Sequence, residues 1–221
     1  MHVHEAVRQR HSVRAFRTDP VDAALLRDLL QGAARAPSGG NLQPWVIHAL
    51  AGAPLAEFKA LIKTRFDAGQ TETAEYAVYP PRLWEPLRAR RSKAAAQRYA
   101  LFEVGAGEYP QTQLQLRNYA FFDAPVGLFF CIDRRVGPPQ WSDLGMYMQT
   151  LMLLAVERGL GTCPQEIWAN WPQTIASFLQ LPASHMVFAG MSLGYADETA
   201  AINSFRTERE PLDNFVQMRG F

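Results

Sequence analysis

Residues 126–132, VGLFFCI, form a continuous apolar run directly after Pro125. A strand with one solvated face alternates apolar and polar residues, whereas an unbroken run is typical of a strand buried on both faces. The longest apolar stretch of the chain, residues 124–132, is far shorter than the roughly 20 residues that a membrane-spanning helix needs. The run therefore predicts a strand inside a folded core rather than a membrane segment.

Helices and further strands are predicted on both sides of this run. Residues 21–35 carry leucines at 25, 26, 29 and 30, the spacing of a helix with one buried face. Asp19 or Asp22 is placed to cap this helix. The remaining patterns predict helices over residues 3–10, 54–67 and 172–181, and strands over residues 45–50 and 186–193.

Residues 142–158, SDLGMYMQTLMLLAVER, are apolar almost all the way round a helix. Such a helix is buried on all sides, so it belongs either to the core of one domain or to a dimer interface. Ser142 and Asp143 are its cap candidates, and Gly159 and Gly161 are expected to end it before a short strand.

Residues 68–112 interrupt the alternation of helices and strands. Prolines at 80, 81 and 86 exclude regular structure locally, and the following ARRSKAAAQRYALF is strongly helix-forming. Gly105 and Gly107 indicate a loop after that helix. We expect a single domain over residues 1–221 with this segment as a helical excursion.

Composition excludes several classes of function. The chain has 221 residues, 48% of them hydrophobic, and 22 basic residues against 21 acidic ones, so no global field attracts nucleic acid or a membrane surface. Cys131 and Cys163 lie far apart, which favours a reducing, cytoplasmic location. His2 and His4 point to different faces of a helix, so no metal site is expected.

Two sequence matches to known functional motifs lack the context that those functions need. Residues 190–194, GMSLG, match the nucleophile elbow of hydrolases, but no histidine follows Ser192 to accept its proton. We therefore interpret Ser192 as a residue near the end of a strand. Residues 105–107, GAG, lack the third glycine of a dinucleotide-binding turn and follow a helix, which makes them a plain loop.

Two arginine clusters stand near the ends of the chain. Arg10, Ser12 and Arg14 face the same way if residues 10–14 are extended, and together they make a plausible anion cradle. The second cluster is residues 203–212, NSFRTEREPL. Each cluster alone is indistinguishable from a solvated basic turn. Together with the glycines and amides of residues 36–45, APSGGNLQPW, they suggest a planar ligand that carries a phosphate.

Four segments in the same order resemble the FMN-dependent nitroreductase family. They are RHSVRAF, APSGGNLQPW, the long run DLGMYMQTLMLLAVERGLGTCPQEIW, and GMSLGYAD followed by NSFRTEREPL. The resemblance implies an α+β, three-layer fold in which a mostly antiparallel central sheet is wrapped by helices. It also implies an intertwined homodimer with FMN at the interface. The CPQ spelling resembles the branch that includes nitrobenzoate reductases.

The resemblance also implies roles for individual residues. Arg10, Ser12 and Arg209 would hold the FMN phosphate, with Arg206 as a second candidate and His11 contributing its backbone. Arg14 would approach the N1/O2 edge of the flavin, where reduction places negative charge. In the loop, Pro37 and Ser38 would shape the turn, Gly39 and its neighbour would allow close approach, and Asn41 and Gln43 would supply polar contacts.

The remaining implied contacts lie on the substrate side. A backbone N–H in the segment Pro164, Gln165 and Glu166 would face flavin N5, and since proline has no N–H the donor is Gln165 or Glu166. The excursion resembles a flap over the flavin, and its Tyr79, Arg82, Trp84 and Arg88 are candidates for setting substrate choice.

The implied activity is hydride transfer from NADH or NADPH, through FMN, to a small electron-poor acceptor in a ping-pong cycle. Nitroaromatics are the first candidate acceptors. Quinone or flavin reduction and reductive dehalogenation are alternatives on the same fold, and a non-catalytic FMN storage or sensor protein is an alternative of another class.

Overall fold

The computed structural model describes residues 1–102 and 109–221, so the loop predicted at Gly105 and Gly107 lies outside the described residues. The sheet has the order β1-β2-β4-β3, and each neighbouring pair is antiparallel. Its strands are β1 (Val46–Ala51), β2 (Val126–Asp133), β3 (Gly161–Gln165) and β4 (His185–Gly194).

The apolar run predicted to be buried on both faces is the inner strand β2. Successive side chains of a strand point to opposite faces. Leu128, Phe130 and Ile132 enter one apolar cluster, while Phe129 and Cys131 enter the other. The strand thus supplies both cores of the molecule, one on each side of the sheet.

Helices cover both faces of this sheet. They are α1 (Val3–Gln9), α2 (Ala23–Ala33), α3 (Gly52–Asp67), α4 (Leu87–Tyr99), α5 (Pro110–Tyr119), α6 (Pro138–Glu157) and α7 (Pro172–Leu179). Of the two cap candidates of α2, the structure selects Asp22, whose Oδ1 accepts from the N–H groups of Ala24 and Leu25 at 2.8 and 3.0 Å.

Helix α6 differs from its prediction at its start and on one face. It begins at Pro138 because proline, which has a fixed φ and no N–H, suits the first turn of a helix. The Gln140 side chain accepts the Gly137 N–H, so Ser142 and Asp143 are not caps. Within one copy of the chain the helix is not buried on all sides, since Met146 is 37% exposed, so burial of that face would need the second predicted location, a dimer interface.

Two other boundaries were predicted wrongly. Helix α5 was not predicted, and it starts inside the segment assigned to the excursion. Gly161 opens β3 rather than ending α6; a Cβ there would lie 2.6 Å from the Cγ2 of Val13, so the position is glycine because another segment crosses it. Gly159, at φ 72°, follows the end of α6 in the left-handed conformation that glycine favours.

Ser192 lies inside β4 and is fully buried. Its Oγ donates to the Gln165 Oε1 at 2.9 Å, and no histidine contacts it among the described residues. The strand interpretation is confirmed, and the match of residues 190–194 to the hydrolase motif is a chance one. Within the part of the chain that the structure covers, no helix is long and apolar enough to cross a membrane.

Gly190 allows Trp168 to pack directly on the sheet, which makes its replacement a test of the core. A Cβ at 190 would lie 2.7 Å from the Trp168 Nε1 and 3.1 Å from the Leu128 carbonyl oxygen. We expect Gly190→Ala to lower the free energy of unfolding at the upper end of the roughly 1–3 kcal/mol typical of overpacking. Gly137→Ala, where a Cβ makes only an ordinary contact at 3.8 Å, is the control. Equal midpoints of the two variants in urea unfolding would contradict this packing.

Candidate functional site

The first arginine cluster is held against the start of β3. The Val13 N–H donates to the Thr162 carbonyl at 2.9 Å, and Ser12 forms a parallel bridge with Thr162. Val13 is buried, whereas Arg10, Ser12 and Arg14 all line a cavity on the other side of this segment. The extended conformation predicted for residues 10–14 therefore places these three side chains on one side.

Asn203 joins this segment to the second arginine cluster. Its Oδ1 accepts the Arg14 N–H at 2.7 Å, while its Nδ2 donates to the carbonyls of Ala15 and Asp197 at 2.7 and 2.8 Å. The residue is only 6% exposed, so all three bonds are shielded from water. No role was predicted for Asn203 from the sequence. Its position explains how two clusters so distant in sequence meet.

The cavity between the two clusters has a volume of about 540 Å³, and we call it the basic cavity. Its lining comprises Val7, Arg8, Arg10, His11, Ser12, Arg14, Phe205, Arg206, Thr207 and Arg209. This set contains five arginines and no acidic residue from the described part of the chain. A cavity of this composition suits a dianion such as a phosphate monoester.

The titration of the basic cavity reflects this crowding of like charges. Burial, followed by the nearby Arg209, lowers the pKa of Arg10. Burial is also the main cause that lowers the pKa of His11, and the surrounding arginines add to it. The lowered pKa favours the neutral form of the His11 imidazole, and its Nδ1–H donates to the Gln9 carbonyl at 2.9 Å. The positive charge of the cavity resides on the arginines.

A second cavity of about 610 Å³, the wide cavity, lies next to the first. It is lined by Arg14, Ala74, Tyr76, Ala77, Val78, Tyr79, Arg91, Arg98, Leu114, Asn118, Phe122, Cys163, Pro164, Gln165, Glu166, Ile167 and Asn170. Arg14 is the one described residue that lines both cavities. Burial is the main cause that lowers the pKa of Arg14.

The end of β3 forms a rigid wall of the wide cavity. The Gln165 side chain is buried, accepts from Ser192, and donates from Nε2 to the carbonyl and the side-chain oxygen of Asn118, both at 2.6 Å. Burial raises the pKa of the neighbouring Glu166 carboxyl. The backbone of residues 164–166 is therefore fixed by a buried network on one side while it faces the cavity on the other.

The glycine-rich loop of residues 37–43 lines neither cavity of its own protomer. It turns through left-handed φ angles of 57° at Gly40, 58° at Asn41 and 48° at Gln43. The Asp143 Oδ1 accepts the Gly39 N–H at 3.2 Å, and the Ser38 Oγ accepts the Gln43 N–H at 3.0 Å. The loop thus has a defined conformation and lies at the surface, where Pro37 is also exposed.

Among the substrate candidates, Tyr79 lines the wide cavity. Arg82, Trp84 and Arg88 do not: Trp84 is 60% exposed, and Arg88 pairs with Glu85 at 2.7 Å. The structure adds cavity residues that were not singled out, namely Arg91, Arg98 and Asn118. The seven-residue spacing of Arg91 and Arg98 within one helix was the available signal, because it puts both on one face.

Comparison with known proteins agrees with this geometry. A family model described as the Nitroreductase family matches residues 7–195. The chain belongs to the nitroreductase family. It is 38% identical over 216 residues to a 4-nitrobenzoate reductase of Pseudomonas putida, covering 97% of this chain and 94% of the relative.

Solved structures of nitroreductases confirm the predicted fold. The FMN- and NADPH-dependent nitroreductase NfnB of Sphigopyxis sp. strain HMH superposes with a TM-score of 0.95 at 38% identity, covering all of both chains. NfnB of Mycobacterium smegmatis in complex with NADPH gives a TM-score of 0.91 at 26% identity, covering 98% of this chain and 97% of that one. The α+β nitroreductase fold with an antiparallel sheet is therefore established.

Asn203 should be critical for the basic cavity without being part of it. We expect Asn203→Ala to lower the free energy of unfolding by roughly 2–3 kcal/mol, since it leaves the Arg14 N–H without its acceptor and removes one donor each from the Ala15 and Asp197 carbonyls. We also expect weaker FMN binding in a fluorescence titration, because the Arg14 backbone loses the side chain that ties it to the second cluster. Asn214→Ala removes one exposed contact to Glu210 and serves as the control. Unchanged stability of Asn203→Ala would show that the clusters are held by other contacts.

Proposed function

We propose that this chain is an FMN-dependent nitroreductase that takes electrons from NADPH or NADH and reduces small nitroaromatic compounds. The observation that carries the proposal is the junction at Arg14, where a cavity suited to a phosphate meets a wider cavity with aromatic and apolar walls. A ligand with a phosphate at one end and a flat ring system at the other matches this shape and charge. The relatives named above, which include 4-nitrobenzoate and FMN- and NADPH-dependent reductases, support it.

The basic cavity would hold the FMN phosphate. Arg10 and Arg209 are close enough for their charges to lower the pKa of Arg10, so a dianion between them relieves their repulsion. Ser12 adds a hydroxyl donor at the same surface. Arg206 already donates to the carbonyls of Asn203 and Phe205 at 2.7 and 3.0 Å, which orients its guanidinium beside the cavity.

The wide cavity would hold the ring system and the acceptor. FMN bound there supplies two-electron redox chemistry that no side chain of the protein provides. Arg14, which donates to the Ser12 carbonyl at 3.2 Å, keeps a fixed positive charge at the junction, where it stabilises negative charge on a ring. The 164–166 segment, fixed by its buried hydrogen bonds, would orient a ring edge.

We further propose that the enzyme is a cytoplasmic homodimer in which the loop of residues 37–43 completes the cavity of the partner subunit. The loop lines neither cavity of its own protomer, yet it exposes backbone and amide groups suited to a planar ligand. Exposed apolar side chains near both termini and on α6 support a large contact with a second copy. They are Val3, Val7, Met146, Leu212, Phe215, Val216 and Met218.

The proposed function is tested by anaerobic absorbance spectroscopy of the purified protein after reconstitution with FMN. We expect a protein-bound flavin band that bleaches with NADPH or NADH and returns when nitrobenzene or 4-nitrobenzoate is added. Bleaching that only a quinone reverses would reassign the acceptor. A bound flavin that neither nicotinamide reduces would instead support a storage or sensor protein, and no flavin band at all would refute the cofactor assignment.

The phosphate assignment is tested by replacing Arg10 and Arg209 together with glutamine. Each lost charge-assisted hydrogen bond is worth roughly 1.5–3 kcal/mol, so the double variant should lose its FMN during dialysis while it stays folded. Arg17→Gln, which removes a surface pair with Asp19 at 2.8 Å, is the matched control. Retention of a full complement of flavin by the double variant would place the phosphate elsewhere.

A further inference from the structure

Helix α4 carries five basic residues, and most of them have an acidic partner. Arg88 pairs with Glu85, Arg90 with Glu210 and Lys93 with Glu208, at 2.7, 2.9 and 2.7 Å. These three pairs lie at the surface of the molecule. The other two cations, Arg91 and Arg98, line the wide cavity instead.

Arg91 and Arg98 lie on one side of α4, and neither pairs with an acidic residue of the described part of the chain. They stand seven residues apart, close to two full turns of a helix, so they share one face of α4 and are about 10 Å apart along its axis. Neither forms an ion pair with a carboxylate of the described residues. The Arg91 guanidinium lies 4.2 Å from the centre of the Tyr79 ring, and the buried Nε of Arg98 has no hydrogen-bond partner there.

Among the described residues, the charges that line the wide cavity are therefore mainly positive. Arg14, Arg91 and Arg98 face it against one described carboxyl group, that of Glu166. Burial raises the pKa of Glu166, which disfavours its charged form. A buried donor without a partner costs free energy, so this cavity is better suited to an anionic ligand than to a neutral one.

We infer that Arg91 and Arg98 form an anion subsite that selects nitroaromatic acceptors carrying a carboxylate. The inference rests on the proposed function and names its substrate class. A guanidinium binds a carboxylate bidentately, and the Tyr79 ring beside Arg91 offers a flat apolar surface to the aromatic ring of the same molecule. The phosphate groups of NADPH share this anion chemistry, so the test separates the two sources.

The first measurement compares two acceptors that differ in charge. With FMN-loaded protein, we expect Arg91→Gln and Arg98→Gln to raise KM for 4-nitrobenzoate about tenfold or more, as befits loss of a charged hydrogen bond. KM for nitrobenzene should change less than about twofold in the same variants. Arg90→Gln is the control on the same helix, since Arg90 pairs with Glu210 at the surface. Arg91→Lys and Arg98→Lys keep the charge, so we expect a smaller rise in KM for 4-nitrobenzoate in these variants.

The second measurement does not depend on turnover. Benzoate and its neutral analogue benzamide are titrated against the absorbance spectrum of the bound flavin. We expect benzoate to bind at least about tenfold more tightly than benzamide to the wild-type protein, and this preference should vanish in the Arg91→Gln, Arg98→Gln double variant.

Three results would overturn the inference. One is an equal rise in KM for 4-nitrobenzoate and nitrobenzene, which would mean that the arginines only support the fold. Another is a rise in KM for NADPH but not for NADH with both acceptors unaffected, which assigns the arginines to the extra phosphate of NADPH. The third is equal binding of benzoate and benzamide. If the wild-type protein reduces no nitroarene, the proposed function fails, while the benzoate titration still decides whether the anion subsite exists.

Discussion

A hydrogen bond from the Val13 N–H to the Thr162 carbonyl, at 2.9 Å, ties the first arginine cluster to the edge of the central sheet. The contact requires Gly161, because any Cβ at that position would meet the Val13 side chain. Once Val13 is buried, the alternation of an extended chain turns Arg10, Ser12 and Arg14 away from the core. Asn203 then brings the second cluster to the same place. The position of the candidate site thus follows from one glycine, one buried valine and one buried amide.

The charges of the two arginine clusters indicate a ligand-binding site rather than an ordinary solvated surface. Several surface arginines pair with opposite charges, as Arg17 does with Asp19 and Arg158 with Asp28. The cavity arginines instead bond to backbone carbonyls and hydroxyls, as Arg209 does to Thr207 and Arg14 to Ser12. Holding several cations together without an acid is unfavourable in the protein alone. A bound anion offsets that repulsion. Arginines without an acidic partner are therefore better evidence for an anion site than the total number of arginines.

The sequence predicted most of the framework because those features are local. The apolar run of β2, the leucine spacing and Asp22 cap of α2, and the strand position of Ser192 each depend on neighbours within one element. The start of α6 was missed because Pro138 was not recognised as a first-turn residue. The partners of Arg90 and Lys93 on α4 could not be predicted at all, since Glu210 and Glu208 come from more than a hundred residues away. Tertiary contact decides which cations are neutralised, and no local pattern carries that information.

The loop of residues 37–43 carries conformations that a plain connection between α2 and β1 does not need. Three of its residues have left-handed φ angles, and two of them, Asn41 and Gln43, are not glycine. Such conformations cost free energy for residues with a Cβ, although asparagine tolerates them better than most. The buried Asp143 carboxylate and the Ser38 hydroxyl hold the turn in place, while Leu42 at its tip stays 62% exposed. The homodimer proposed above would account for a loop that is fixed this firmly yet lines neither cavity, because a second copy would pack against it.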